Sequence, residues 1–474
     1  MSAARILLTL LILTLAGPAQ AGLPPEVTRA LSASNLSSDR LGVWVQAVDE
    51  DEPLLAHNPD QALNPASVMK LVTTMAALDL LGPTHRWPTE VFSDGEPKRG
   101  TLEGNLYIKG YGDPWFRTED LWQVIRQIHE LGIHTITGQL VLDDSYFART
   151  EEDPAAFDNR PDRPYNALPR ALLFENRVTR FVVQPDRDTG AIRIQKWPPQ
   201  PESVELINQV EPDAASCSGR NAWPIVDIRQ EDAAARVLLR GKYSPQCGIR
   251  EFYRVVGNPE EAFYNAFVHL FGEKGGVIEG GYRVGQVPEG ARLLHTYQSR
   301  PLVEYLSPIN KWSNNVMARQ LFLSLGADQL APPATELKAR QAVDAWLKAQ
   351  DLDFPQFVID NGSGLSRTAR ISARQLGILL HRAWHKPTMP EFVSSMAIIG
   401  VDGTMRRRLK GETVRGQGHF KTGTLRDVRA GAGYLLAASG KRYLIVVLHN
   451  QPTVQSGGGT RVQDALIDWL YHNG

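Results

Sequence analysis

Strand-like segments at both ends of the chain, separated by more than 300 residues, constrain the fold most. Residues 41–47 (Leu-Gly-Val-Trp-Val-Gln-Ala) read as a strand, the acidic run Asp49-Glu50-Asp51-Glu52 as a solvated turn, and residues 54–56 as the start of a second strand. At the other end, residues 434–437 and 443–449 read as a hairpin around Ser439-Gly440. Residues 462–470 then carry the spacing of an amphipathic helix, expected to pack on a core because it is not basic. Two N-terminal strands and a C-terminal hairpin predict one antiparallel sheet made by both ends of the chain. The middle then becomes a large insertion.

That middle, from Trp87 to Pro288, is rich in short strand-and-turn patterns, such as those at 105–110 and 138–143. The pattern weakens over 192–248, which predicts a smaller unit nested in the insertion. The expected organisation is residues 22–86 with 289–474 as one domain, 87–191 with 249–288 as a second, and 192–248 as a third. The only cysteines, Cys217 and Cys247, lie in the nested piece. Their spacing suits a disulfide in an oxidising compartment, with buried thiols as the alternative.

The first 21 residues read as a secretory signal. Arg5 precedes an apolar run over 6–15, and Ala19-Gln20-Ala21 gives a small-x-small cleavage pattern. The run is shorter than the ~20 residues that a membrane span needs. The mature chain is therefore expected in the periplasm, with at most peripheral membrane contact. A net charge of −1 argues against a nucleic-acid partner. No spacing of Cys, His and acids suggests a metal site.

Three short motifs bear chemistry. Ser67-Val68-Met69-Lys70 opens a helix whose apolar positions run through Leu78 to a stop at Gly82-Pro83. Three residues apart, Ser67 and Lys70 share a helix face, and a lysine whose ammonium is desolvated can take a proton from a serine. By itself this pattern also fits a capping serine and an exposed lysine, and S-x-x-K arises by chance roughly once or twice in a chain of this size. Ser313-Asn314-Asn315 offers a proton-relaying hydroxyl and an amide, or else an ordinary helix start. Lys421-Thr422-Gly423-Thr424, just ahead of the terminal hairpin, offers a cation and hydroxyls for a carboxylate, with Gly423 admitting close backbone approach. Each motif occurs once, and together they form the pattern of penicillin-interacting serine enzymes.

The chain resembles the class C low-molecular-mass penicillin-binding proteins, a D-alanyl-D-alanine carboxypeptidase/endopeptidase family. The likeness extends to segments 110–114, 360–367 and 401–404 and to the long interval between Ser67 and Ser313, and it spans nearly the whole mature chain. Tyr111 departs from it, since the family more often has a small residue there. The resemblance implies an α+β fold: a serine β-lactamase/transpeptidase-like domain, an antiparallel sheet flanked by helices, with a large β-rich insertion forming two further domains. It implies Ser67 as nucleophile, Lys70 as base aided by Lys421, Ser313 as proton relay and Asn315 as the ligand of the substrate amide. Lys421 and Thr422 would hold a terminal carboxylate, with the N–H groups of Ser67 and Thr424 as oxyanion hole. Asp162, with Arg367 nearby, would receive the diaminopimelate amine. The implied partners are peptidoglycan stem peptides, with β-lactams as covalent inhibitors and no cofactor. A β-lactamase and a non-catalytic peptidoglycan-binding scaffold are the alternatives; the long insertion disfavours the first and the intact motifs the second.

Overall fold

The computed structural model describes residues 22–150, 152–199, 203–231 and 234–474. The secretory-signal reading therefore falls outside the described residues. Among those residues, no helix is long and apolar enough to cross a membrane.

The two ends of the chain meet in one six-stranded antiparallel sheet. Its order is Ala397–Ile398, Gly418–Leu425, Val428–Leu436, Arg442–Asn450, Leu41–Ala47 and Pro53–His57. Strand Leu41–Ala47 is buried throughout because its alternating residues feed two cores. Val43 and Val45 pack with Val27 and Leu31 of the first helix and with Val462, Leu466 and Leu470 of the last, Gly458–Asn473. Trp44 points the other way, into a core shared with helices Met69–Leu80, Asn315–Leu330 and Ala373–Trp384. Gly377 permits that contact, since a Cβ there would lie 2.3 Å from the Trp44 ring.

The insertion holds a mixed five-stranded sheet: Tyr282–Val284, Leu140–Asp143, Leu106–Gly110, Pro88–Ser93 and Arg292–Gln298. Helices Thr118–Glu130 and Pro259–Gly272 share its core through Ile125, Ile128, Phe263 and Phe267. This sheet extends past the expected limit at residue 288, because Arg292–Gln298 pairs with Pro88–Ser93. Strands Thr179–Pro185, Ile192–Trp197 and Arg250–Arg254 form one small sheet, and Val204–Pro212, Ala234–Tyr243 and Ile225–Glu231 form another. Both share a core that includes Phe181, Val183, Val237, Leu239 and Tyr243. We propose on this packing that the nested unit runs from about residue 179 to 256. Cys217 and Cys247 form a disulfide there, across 30 positions of chain.

Candidate active site

Ser67 lies in a 3-10 turn, Ala66–Val68, which runs directly into helix Met69–Leu80. The turn is held by Asn64. Its Oδ1 accepts from the Ala66 N–H (2.8 Å), its Nδ2 donates to the Ser366 carbonyl (2.8 Å), and its own N–H donates to Asn450 Oδ1 (2.6 Å). Ala66 is thereby kept at φ 47°, and Ser313 similarly at φ 62°. Such left-handed backbone costs on the order of 1–3 kcal/mol and tends to gather at functional sites.

Lys70 follows one turn after Ser67 and is fully buried. Its Nζ lies 3.1 Å from Ser67 Oγ, 2.6 Å from Asn315 Oδ1 and 2.5 Å from the Ser363 carbonyl oxygen. A neutral amine has two N–H groups, and the amide and carbonyl oxygens, which can only accept, take both. The lone pair is left for the Ser67 hydroxyl, which can donate to it. Burial, and then the charge of Lys421, hold Lys70 well below the ordinary lysine range.

Lys421 is equally buried, and burial alone lowers it to about 7. Its Nζ donates to Ser313 Oγ (3.0 Å) and to the Thr422 carbonyl (2.8 Å). It lies in strand Gly418–Leu425, whose edge partner Ala397–Ile398 pairs only with His419 and Phe420. The edge from Lys421 onward is therefore free of a strand partner on that side. Gly423 has a more exacting role than the admission of a ligand. A Cβ there would stand 2.5 Å from the Pro65 carbonyl oxygen and 3.1 Å from the Ser67 nitrogen. The strand reaches the Ser67 turn because that side chain is absent.

Ser67, Lys70 and Asn315 thus form one hydrogen-bonded group and Ser313 with Lys421 a second, near enough for the charge of Lys421 to act on Lys70. The remaining expected residues are placed differently. Thr422 Oγ1 donates to Thr404 Oγ1 (2.9 Å), and Thr424 Oγ1 accepts from Arg429 (2.6 Å). Asn315 Nδ2 donates to the Tyr165 carbonyl (3.2 Å), which brings segment 158–166 of the insertion to the cluster. Asp162, expected to receive a substrate amine, is instead paired with Arg254 (3.1 Å) and more distantly with Arg163 (3.9 Å). That charge is already answered. In the same segment, Asp158 accepts from Tyr165 Oη (2.7 Å) and Asn166 Nδ2 (2.8 Å). Arg367 is exposed and lies over the Phe157 ring, 4.3 Å from its centroid. The hydroxyl of Tyr111 is spent on Glu90 (2.5 Å).

Sequence reasoning missed the carbonyl of Ser363. Its loop is shaped by Asn361, whose Oδ1 accepts from the Ser363 N–H (3.1 Å) and Oγ (2.8 Å) and whose Nδ2 donates to the Leu365 carbonyl (3.0 Å). Thr73 Oγ1 ties the loop to helix Met69–Leu80 through the Gly362 carbonyl (2.7 Å). The segment Asp360-Asn361-Gly362-Ser363 was the available signal, but a backbone carbonyl leaves no mark of its own in a sequence.

An antiparallel sheet sandwiched by helices, with a serine bonded to one buried lysine and a second buried lysine on the strand beside it, defines a penicillin-recognising serine enzyme. Residues 24–472 match the D-Ala-D-Ala carboxypeptidase 3 (S13) family, and the chain belongs to that family. It is 28% identical over 446 residues to the D-alanyl-D-alanine carboxypeptidase of Actinomadura sp. strain R39, covering 90% of this chain and 80% of that one. To the D-alanyl-D-alanine carboxypeptidase DacB of Haemophilus influenzae it is 24% identical, over 86% of this chain and 85% of that one. The crystal structure of penicillin binding protein 4 from H. influenzae superposes with a TM-score of 0.77 at 23% identity, covering 94% and 99% of the two chains.

Proposed function

We propose that Ser67 is the nucleophile of a serine DD-peptidase, acting on D-Ala-D-Ala termini and on D-Ala–diaminopimelate cross-links of peptidoglycan. The observation that carries this reading is the Lys70 amine, whose two N–H groups are bonded elsewhere while its lone pair faces Ser67 Oγ. Lys70 takes the Ser67 proton as Oγ attacks the carbonyl carbon. The resulting oxyanion is received by the N–H groups of Ser67 and Thr424, each worth on the order of 3 kcal/mol. Ser313, bonded to Lys421, passes a proton to the leaving amine as the C–N bond breaks, leaving an acyl-enzyme for water to hydrolyse.

Lys421 and Thr422 hold the substrate's terminal carboxylate, and Asn315 Nδ2 exchanges the Tyr165 carbonyl for a substrate carbonyl. Arg367, beside Phe157, borders the side-chain subsite. Carboxypeptidase and endopeptidase action share this chemistry, differing only in the leaving amine. A β-lactam enters the same route, but its expelled nitrogen stays tethered and blocks deacylation. The H. influenzae penicillin binding protein 4, for its part, has been solved in complex with a β-lactam. A periplasmic location fits the signal-like residues 1–21.

The test is labelling by a fluorescent penicillin, with Ser67→Ala as the comparison. An adduct on the unsubstituted protein alone, lasting many minutes, supports the reading. Release within seconds would mark a β-lactamase, and no labelling of folded protein would mark a non-catalytic scaffold.

A further inference from the structure

The outer face of the nested sheet does not lie open. Together with Arg160, Asp162, Arg163 and Arg254 it lines a cavity of about 740 Å³. That volume lies within the range of sites that take a whole small ligand, roughly 300–1,000 Å³, and is far larger than one ion needs. The floor is apolar, with Ile207 and Leu238 directly opposite each other on paired strands.

The walls carry five arginines and two aspartates. Both acids are already committed, Asp162 to Arg254 (3.1 Å) and Asp227 to Arg240 (2.8 Å). Arg236 is paired with Glu205 (2.6 Å). Arg160 and Arg229 have no ion pair among the described residues. Arg229 also stands directly across from Arg236 in the sheet, two like charges with the single acid Glu205 paired to one of them. Guanidinium groups suit carboxylates because they present paired N–H donors in a fixed fork.

The segment that borders the cavity also reaches the catalytic cluster. Asn166 Nδ2 ties it at Asp158 Oδ1 (2.8 Å) and at the Arg160 carbonyl (2.9 Å). One residue earlier, the Tyr165 carbonyl accepts from Asn315, which in turn bonds Lys70. A ligand in the cavity would thus lie along the same segment as a peptide at Ser67.

We infer that this cavity is a second substrate subsite. It takes the carboxylates of a neighbouring stem peptide of the same peptidoglycan while another stem occupies the Ser67 cluster. This rests on the DD-peptidase reading above. The subsite serves polymeric substrate, and a single short peptide has no need of it.

The probe is purified sacculi stripped of phosphate-bearing polymers, with binding measured by co-sedimentation in a Ser67→Ala background. Adding Arg160→Ala and Arg229→Ala removes two charge-assisted contacts and should weaken binding about tenfold, while flattening its dependence on salt. Both arginines are exposed, so the fold is expected to persist, and matched thermal unfolding curves check it. Arg160→Lys with Arg229→Lys should fall between the two. With Ser67 intact, the alanine pair should keep penicillin labelling and the turnover of one soluble D-Ala-D-Ala peptide within about twofold. Sacculus binding unchanged by the alanine pair, or absent from Ser67→Ala itself, overturns the inference. A loss seen only with sacculi that retain phosphate polymers also overturns it, since the anion recognised would be phosphate. Failure of the catalytic reading would appear separately, as absent labelling of the protein with both arginines in place.

Discussion

Gly423→Ala tests whether the close approach of the K-T-G strand to the Ser67 turn sets the reaction geometry. The added methyl would stand 2.5 Å from the Pro65 carbonyl oxygen, 3.1 Å from Ala66 Cβ and 3.1 Å from the Ser67 nitrogen. An ordinary carbon–oxygen contact is about 3.5 Å, so strand and turn must part by most of 1 Å. Overpacking of this kind costs about 1–3 kcal/mol of stability, which a domain of this size survives. The larger effect falls on chemistry, because a misplacement near 1 Å can lower a rate about 100-fold. We expect the second-order rate of acylation by a fluorescent penicillin to fall about 10- to 100-fold, or roughly 1.4–2.8 kcal/mol of barrier. The control is Gly411→Ala, whose methyl would meet nothing within 4 Å and should leave the rate unchanged. The assay is stopped-time labelling on gels, alongside a thermal melt. Folded Gly423→Ala that acylates within twofold of the parent would refute the reasoning.

Three further outcomes follow from the same structure. The pH profile of kcat/KM on a D-Ala-D-Ala peptide should be bell-shaped. Activity is lost at low pH as Lys70, held well below the usual lysine range, gains a proton, and lost above about 7 as Lys421 gives one up; a flat profile from 6 to 9 counts against the lysine assignment. Asn315→Asp keeps the shape but sets a carboxylate where Oδ1 now lies 2.6 Å from Lys70. It should raise the lysine pKa and cut acylation about 100-fold at pH 7, as read by labelling. Replacing Cys217 and Cys247 together by serine opens a 30-residue link and should destabilise the nested unit by about 3.5 kcal/mol, read as an earlier thermal transition with penicillin labelling retained.

The Ser67–Lys70 contact was legible because side chains of distinctive chemistry sit there at fixed local spacing. Ser67 and Lys70, three residues apart, were expected on one helix face, and the alternation around Trp44 announced a strand. What escaped depends on pairing over distance. Asp162 resembled a free loop acid because its partner, Arg254, is remote in sequence and neighbouring only in the fold. The proposed start of the nested unit differs from the expected one for the same reason. Thr179–Pro185 looks like any short strand until Arg250–Arg254 is seen beside it. The Ser363 carbonyl was beyond reach altogether, since every residue has one and only the Asn361 loop aims it at Lys70.

The strand order of the main sheet also bears on timing. Leu41–Ala47 joins the strand carrying Lys421 only through Val428–Leu436 and Arg442–Asn450, which lie far later in the chain. A growing chain thus carries Ser67 and Lys70 from early on, but Lys421 cannot be brought beside them until the C-terminal hairpin is in place. A chain cut before Arg442 would hold Ser67 and Lys70 without the strand pairing that sets Lys421 in the sheet beside them.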